Sequence, residues 1–175
     1  MKDSTLFALF AAGGVGVLVS YMFLYYQQSL PLLYNMYTPF EWRLWFVSMV
    51  LTVVSVLAVV SYFSGYKELK DGYRELFIVS LSVFLLFAML WSLSIFYIMQ
   101  NKKDPSLQKP ILYIVGLASI GMLISTVNST KSALIILAAC IVVFHHLVVD
   151  AIWWPTIHQR GYEERDVTLR NTITL

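Results

Sequence analysis

Five long apolar stretches alternate with short polar ones along this chain, covering residues 5–26, 44–65, 76–99, 111–127 and 133–154. Crossing a hydrocarbon core of about 30 Å takes roughly 20 residues of α-helix. Four of the five stretches reach that length, and the fourth, with 17 residues, approaches it. None holds Lys, Arg or Glu, and Asp150 is their only acid. Lipid offers no partner for a free backbone amide, so segments of this kind must be helical. The pattern predicts an all-α integral membrane protein, a bundle of about five transmembrane helices in residues 1–154. A polar extramembrane tail follows in residues 155–175.

The connections carry the expected punctuation. Residues 27–41 hold Pro31 and Pro39 around an apolar, aromatic segment, LLYNMY, suited to the interface. Residues 65–75 and 100–110 read as short polar loops, the second ending in Pro110, a residue suited to a helix's first turn. The link at residues 128–132 is so short that spans four and five must form an antiparallel hairpin. The first stretch is too long for the core of a signal peptide and lacks an A-x-A site, so it reads as a true span. Tyr25, Tyr26, Trp42, Trp45, Tyr62, Tyr66, Tyr97, Trp153 and Trp154 fall near span ends, as an interfacial belt would place them. Trp91 sits mid-span instead.

Composition agrees with this picture. Of 175 residues 59% are hydrophobic and 13% charged, about half the charge of an ordinary soluble domain. The net charge of +2 comes without any basic run, which argues against nucleic acid as a partner. An odd number of spans puts the termini on opposite faces. Arg43, Lys102, Lys103, Lys109, Arg160, Arg165 and Arg170 then share the C-terminal side, against Lys2, Lys67, Lys70, Arg74 and Lys131 on the other. The positive-inside rule points to a cytoplasmic C-terminus. Cys140 is the only cysteine, which rules out an internal disulfide or a thiolate metal cluster; it reads as a small buried apolar residue. Asn128-Ser129-Thr130 fits a glycosylation acceptor, but lies in a loop pressed against the bilayer and is expected unmodified.

Candidate chemistry is sparse. Ala12, Gly16 and Ser20 form a small-residue ridge on span one, with Gly121 in a similar role on span four. Such ridges let another backbone come close, within the chain or in a partner. Ser48, Thr52, Ser55 and Tyr62 share one face of span two; Ala118, Gly121, Ser125 and Asn128 share one face of span four. These stripes serve either as interhelical glue or as the lining of a polar pathway. The sharpest feature is FHHLVVDAIWW, residues 144–154. On an α-helix His146 and Asp150 lie one turn apart and form a polar intramembrane pair. His145 points about 100° away from His146. Ionisable groups at that depth are functional candidates by default. The pair is an anchor, a proton or ion route, or part of a metal site. For a metal it offers only two ligands on one face, with His158 beyond the membrane, so no metal ligands are assigned.

Residues 149–153, VDAIW, are similar to the VDxxW element of cytochrome oxidase subunit III, which a histidine also precedes. The histidine spacing differs here, the element ends a span rather than starting one, and the rest of that family's pattern is missing, so membership is not inferred. No lysine sits mid-span for a retinal Schiff base, and no TVGYG filter, arginine-ladder helix, GxSxG, HExxH or Walker sequence occurs. A membrane enzyme ranks third, because an active site needs more convergent polar groups than three histidines and one intramembrane acid suggest, and no cofactor is assigned. The chain reads first as a non-catalytic integral membrane subunit docking in a larger assembly, with span one as the surface for protein partners or a homo-oligomer. The alternative is a small transporter or channel-like bundle moving a solute, ion or proton past His146 and Asp150.

Overall fold

The computed structural model describes residues 4–27, 38–101 and 108–157, and among them there is helix but no strand. Helix α1 spans Ser4–Tyr26, α2 Pro39–Gly65, α3 Tyr73–Asn101 and α4 Lys109–Ser129. Helix α5, Ala133–Phe144, runs on without a break into a π-helical segment, His145–Trp153, and the helix ends at Ile157. Five helices are thus long and apolar enough to cross a membrane. The LLYNMY segment, His158 and most of the polar tail lie outside the described residues.

Helices α1 to α4 start one to five residues ahead of their apolar stretches, and at α2 a cap rather than hydropathy sets the start. At α2 the Thr38 hydroxyl accepts from the Glu41 backbone N–H at 3.3 Å. The Glu41 carboxylate in turn accepts from the Thr38 backbone N–H at 2.9 Å. This reciprocal box, with Pro39 preset for the first turn, pulls the start of α2 five residues ahead of Leu44. Residues 39–43, expected as loop and span edge, therefore belong to a helix. The α2–α3 connection closes on Gly72, whose φ of 80° is left-handed and favours glycine. That loop is less polar in its packing than in its composition, since Leu69 is buried in the core.

Each helix has two principal neighbours, in the cyclic order α1–α3–α4–α5–α2 and back to α1. Helices α4 and α5, joined by residues 130–132, are adjacent in this ring. Two apolar clusters fill its centre. The larger contains Leu6, Val59, Phe63, Phe77, Leu81, Phe84 and Met122; the smaller contains Leu24, Trp45, Trp91, Ile95, Leu112 and Trp154. The outward faces carry large apolar side chains on every helix, Val15, Val54, Leu86, Leu117 and Leu137 among them.

Several sequence expectations change here. Tyr25, Tyr26, Tyr66 and Tyr97 are exposed at helix ends, but Trp45 and Trp154 are buried rather than facing outward. Their rings pack at 5.4 Å, and Trp154 meets Trp91 at 5.7 Å, so these indoles plug one end of the ring. Trp91, anomalous as a belt residue, is ordinary as a member of that plug. Cys140 is exposed on the outer face of α5 rather than buried. The small-residue ridge on α1 is used within the chain. A side chain at Gly16 would meet Met89 Sδ of α3 at 2.5 Å, and one at Gly13 would meet Leu85 at the same distance. Ser20 is buried with its hydroxyl on the Val17 carbonyl, while Ala12 is exposed and contributes nothing to the seam.

Candidate functional site

The π-helical segment gathers the ionisable groups of the bundle interior. At its start the His145 backbone N–H is shared between the carbonyls of Ile141 and Val142, and at its end the Trp154 N–H reaches back five residues to Val149. Pro155 follows immediately and has no N–H to give to the carbonyls one turn back, so the α-helical ladder is already interrupted there. A π-helix turns by about 82° per residue rather than about 100°. Five residues then advance about 50° around the axis instead of about 140°. Asp150 therefore falls azimuthally between His145 and His146, where an α-helix would have left His145 far to one side.

Distances follow that geometry. His145 Nε2 lies 3.4 Å from Asp150 Oδ2, nearer than His146 Nε2 at 3.9 Å. The pair read from α-helical spacing is a triad, and the histidine set aside is its closer member. Both histidines are buried, and their rings meet edge to face at 4.9 Å. Each imidazole is also held from its other nitrogen. His146 Nδ1 donates to the Val142 carbonyl at 2.7 Å, and since a carbonyl only accepts, the proton is on Nδ1. His145 Nδ1 shares a hydrogen bond of 2.8 Å with the Ser48 hydroxyl of α2. Phe84 of α3 packs its ring against His146 at 4.7 Å. The buried Trp45 indole N–H, without a hydrogen bond of ordinary geometry, faces the Asp150 carboxyl. The triad thus sits between the two apolar clusters, with Phe84 from one and Trp45 from the other against it.

Of the hydroxyl stripe on α2, Ser48 reaches this site. Thr52 bonds its own helix at the Ser48 carbonyl, Ser55 is buried, and Tyr62 meets Thr130 at 2.9 Å beyond the end of α4. The α4 stripe faces elsewhere. Gly121 packs on Ser80 of α3, Ser125 bonds back to the Gly121 carbonyl, and Asn128 donates to Ile124 in its own helix. The two stripes do not meet. Their hydroxyls mostly satisfy carbonyls of their own helix one turn back. Sequence reasoning also missed Gly116, where an added Cβ would run into Leu147 of the π-helical segment, so this glycine lets α4 approach the triad's backbone.

No known family model matches the chain, and neither a curated protein nor a solved structure is similar to it.

Proposed function

We propose that the protein is a multi-pass membrane protein that takes up and releases a proton or another small cation at the His145–His146–Asp150 triad. In this reading α4 and α5 cross the bilayer as an antiparallel hairpin, and the C-terminus is cytoplasmic. The observation that carries it is the convergence of three ionisable side chains in a bundle interior otherwise filled by apolar and uncharged side chains. The exposed apolar faces of all five helices support insertion, because a surface of that kind is stable against lipid and not against water. Buried ionisable groups that face a bundle interior are costly and mark ion or proton routes in membrane proteins. The filled centre of the ring argues for a carrier that must open, not a standing pore.

Reconstitution into liposomes with an entrapped pH-sensitive dye tests the proposal. An imposed proton or cation gradient should dissipate faster than in empty vesicles, Asp150→Asn should remove the difference, and Cys140→Ser should keep it. Vesicles no leakier than empty ones, or an active Asp150→Asn variant, would refute it. For the topology, cysteines placed at the two termini in a Cys140→Ser background should react from opposite sides. Reaction of both from one side would overturn the five-span count.

A second reading, the non-catalytic subunit of a larger assembly, is favoured by the separation of the two hydroxyl stripes, which form no continuous polar route among the described residues. The mass of the purified species in mild detergent discriminates: a lone bundle supports the carrier, a co-purifying complex the subunit.

A further inference from the structure

We infer that the triad is a binding site for a first-row divalent transition metal such as Zn²⁺ or Co²⁺, ligated by His145 Nε2, His146 Nε2 and Asp150 Oδ2. This deepens the cation-handling reading above and rests on it for its place in function, though the binding itself is measurable separately. One ligand atom from each residue lies within 4.8 Å of the other two, so the two imidazoles draw together by a small rotamer adjustment to share one ion. Two ligands held about 2.1 Å from a tetrahedral metal sit roughly 3.4 Å apart. The His145–Asp150 separation is 3.4 Å and the His146–Asp150 separation 3.9 Å. Those distances exceed a direct hydrogen bond of about 2.7–3.0 Å, and they leave room for an ion at the centre.

The direction of the lone pairs points the same way. Because His146 Nδ1 holds its proton on the Val142 carbonyl, Nε2 of the neutral ring presents a lone pair toward Asp150 Oδ2. With Asp150 ionised, two acceptors face each other, and a proton or a metal ion between them relieves the contact. Ligating histidines typically donate their other N–H to a carbonyl, carboxylate or water, which fixes the tautomer and the ring. Val142 does this for His146, and the Ser48 hydroxyl is placed to do it for His145. Two imidazoles and one carboxylate form a nitrogen-rich set suited to Zn²⁺, Co²⁺, Ni²⁺ or Fe²⁺, whereas Ca²⁺ and Mg²⁺ favour all-oxygen cages. Three protein ligands also leave a fourth position for water or an exchanging ligand, as an uptake-and-release site requires.

The test uses the full chain, tag removed, in lipid nanodiscs after chelator treatment, with Co²⁺ as the probe and Zn²⁺ as competitor. One Co²⁺ per chain should bind, with the intense visible bands of four-coordinate cobalt, and Zn²⁺ should displace it. His145→Ala and Asp150→Asn should each weaken binding at least tenfold. Ser48→Ala, which touches no ligand atom directly, should weaken it roughly tenfold by releasing the ring. Cys140→Ser should bind like the parent. No stoichiometric uptake by the parent overturns the inference even if the first two variants fail to fold, and so does unchanged binding by folded Asp150→Asn and Ser48→Ala together. Metal binding without gradient dissipation in liposomes would sink the carrier reading alone. Proton flux that needs Asp150, in a chain that takes up no metal, would sink this inference alone.

Discussion

Gly14 and Gly16 lie two residues apart on α1, and substituting each with leucine should give two proteins of clearly different stability. At Gly16 a Cβ would sit 2.5 Å from Met89 Sδ and 3.6 Å from its Cε, against α3. At Gly14 nothing lies within 4 Å of the added atom. Replacing glycine in a helix interior gains up to about 1 kcal/mol of intrinsic propensity at either site. At Gly14 that gain stands alone, and the new side chain joins an exposed apolar face, so Gly14→Leu should be neutral or stabilising by up to about 1 kcal/mol. At Gly16 four carbons must displace Met89. Methionine yields more readily than most core side chains, but overpacking in a filled seam still costs typically 1–3 kcal/mol. Subtracting the propensity gain leaves Gly16→Leu destabilised by about 0–2 kcal/mol relative to the parent. It should lie about 1–3 kcal/mol below Gly14→Leu. That difference between the two variants is the robust quantity, because propensity and the unfolded reference cancel in it. Thermal melts and SDS titrations of the two proteins in the same detergent measure it. Equal midpoints, or a Gly16→Leu protein that outlasts Gly14→Leu, would show that α1 does not use this face against α3.

Two further outcomes follow from the same geometry. Double-mutant cycles should give Asp150 a stronger coupling to His145 than to His146, with either term of the order of 1 kcal/mol for contacting polar residues. Strict additivity of Asp150→Asn with both histidine substitutions would dissolve the triad, and a dominant His146 term would restore an α-helical reading of the segment. Thr38→Ala removes the hydroxyl that caps α2 and should cost about 1 kcal/mol, with loss of helicity confined to residues near 38–41; a melt unchanged from the parent would place the start of α2 elsewhere.

The number of helices, their order and their approximate ends are legible in the sequence because hydropathy and helix length answer to one physical requirement. What escaped that reading depends on neighbours. Thr38-Pro39-Phe40-Glu41 has the spacing of a capping box, but a proline in a polar connection fits a loop as well as a helix's first turn, and only the structure decides between them. Trp45, Trp91 and Trp154 come from three helices, and only the ring order brings them together as a plug. Ala12, Gly16 and Ser20 are correctly spaced for one ridge, yet α1 is rotated so that Ala12 faces out. The rotation of a helix whose apolar side chains run all the way round is set by packing alone, and no periodicity records it.

The triad shows the same dependence at the level of a single turn. Read with about 100° per residue, FHHLVVD gives an i,i+4 pair and a histidine pointing elsewhere. Read with the wider π-helical turn, the same seven residues give two imidazoles flanking one carboxylate. The sequence held one relevant sign, Pro155, whose missing N–H weakens the ladder in the turn before it. Widening a helix sacrifices good hydrogen-bond geometry over several residues, and π-helical turns are rare and frequently found at functional sites. Gly116 adds to the argument, because a side chain there would press on Leu147 and drive the segment away from α4. A structural anchor of one histidine and one aspartate would need neither the widened turn nor the glycine. Both features become intelligible when the segment has to aim His145, His146 and Asp150 at one point and hold them there.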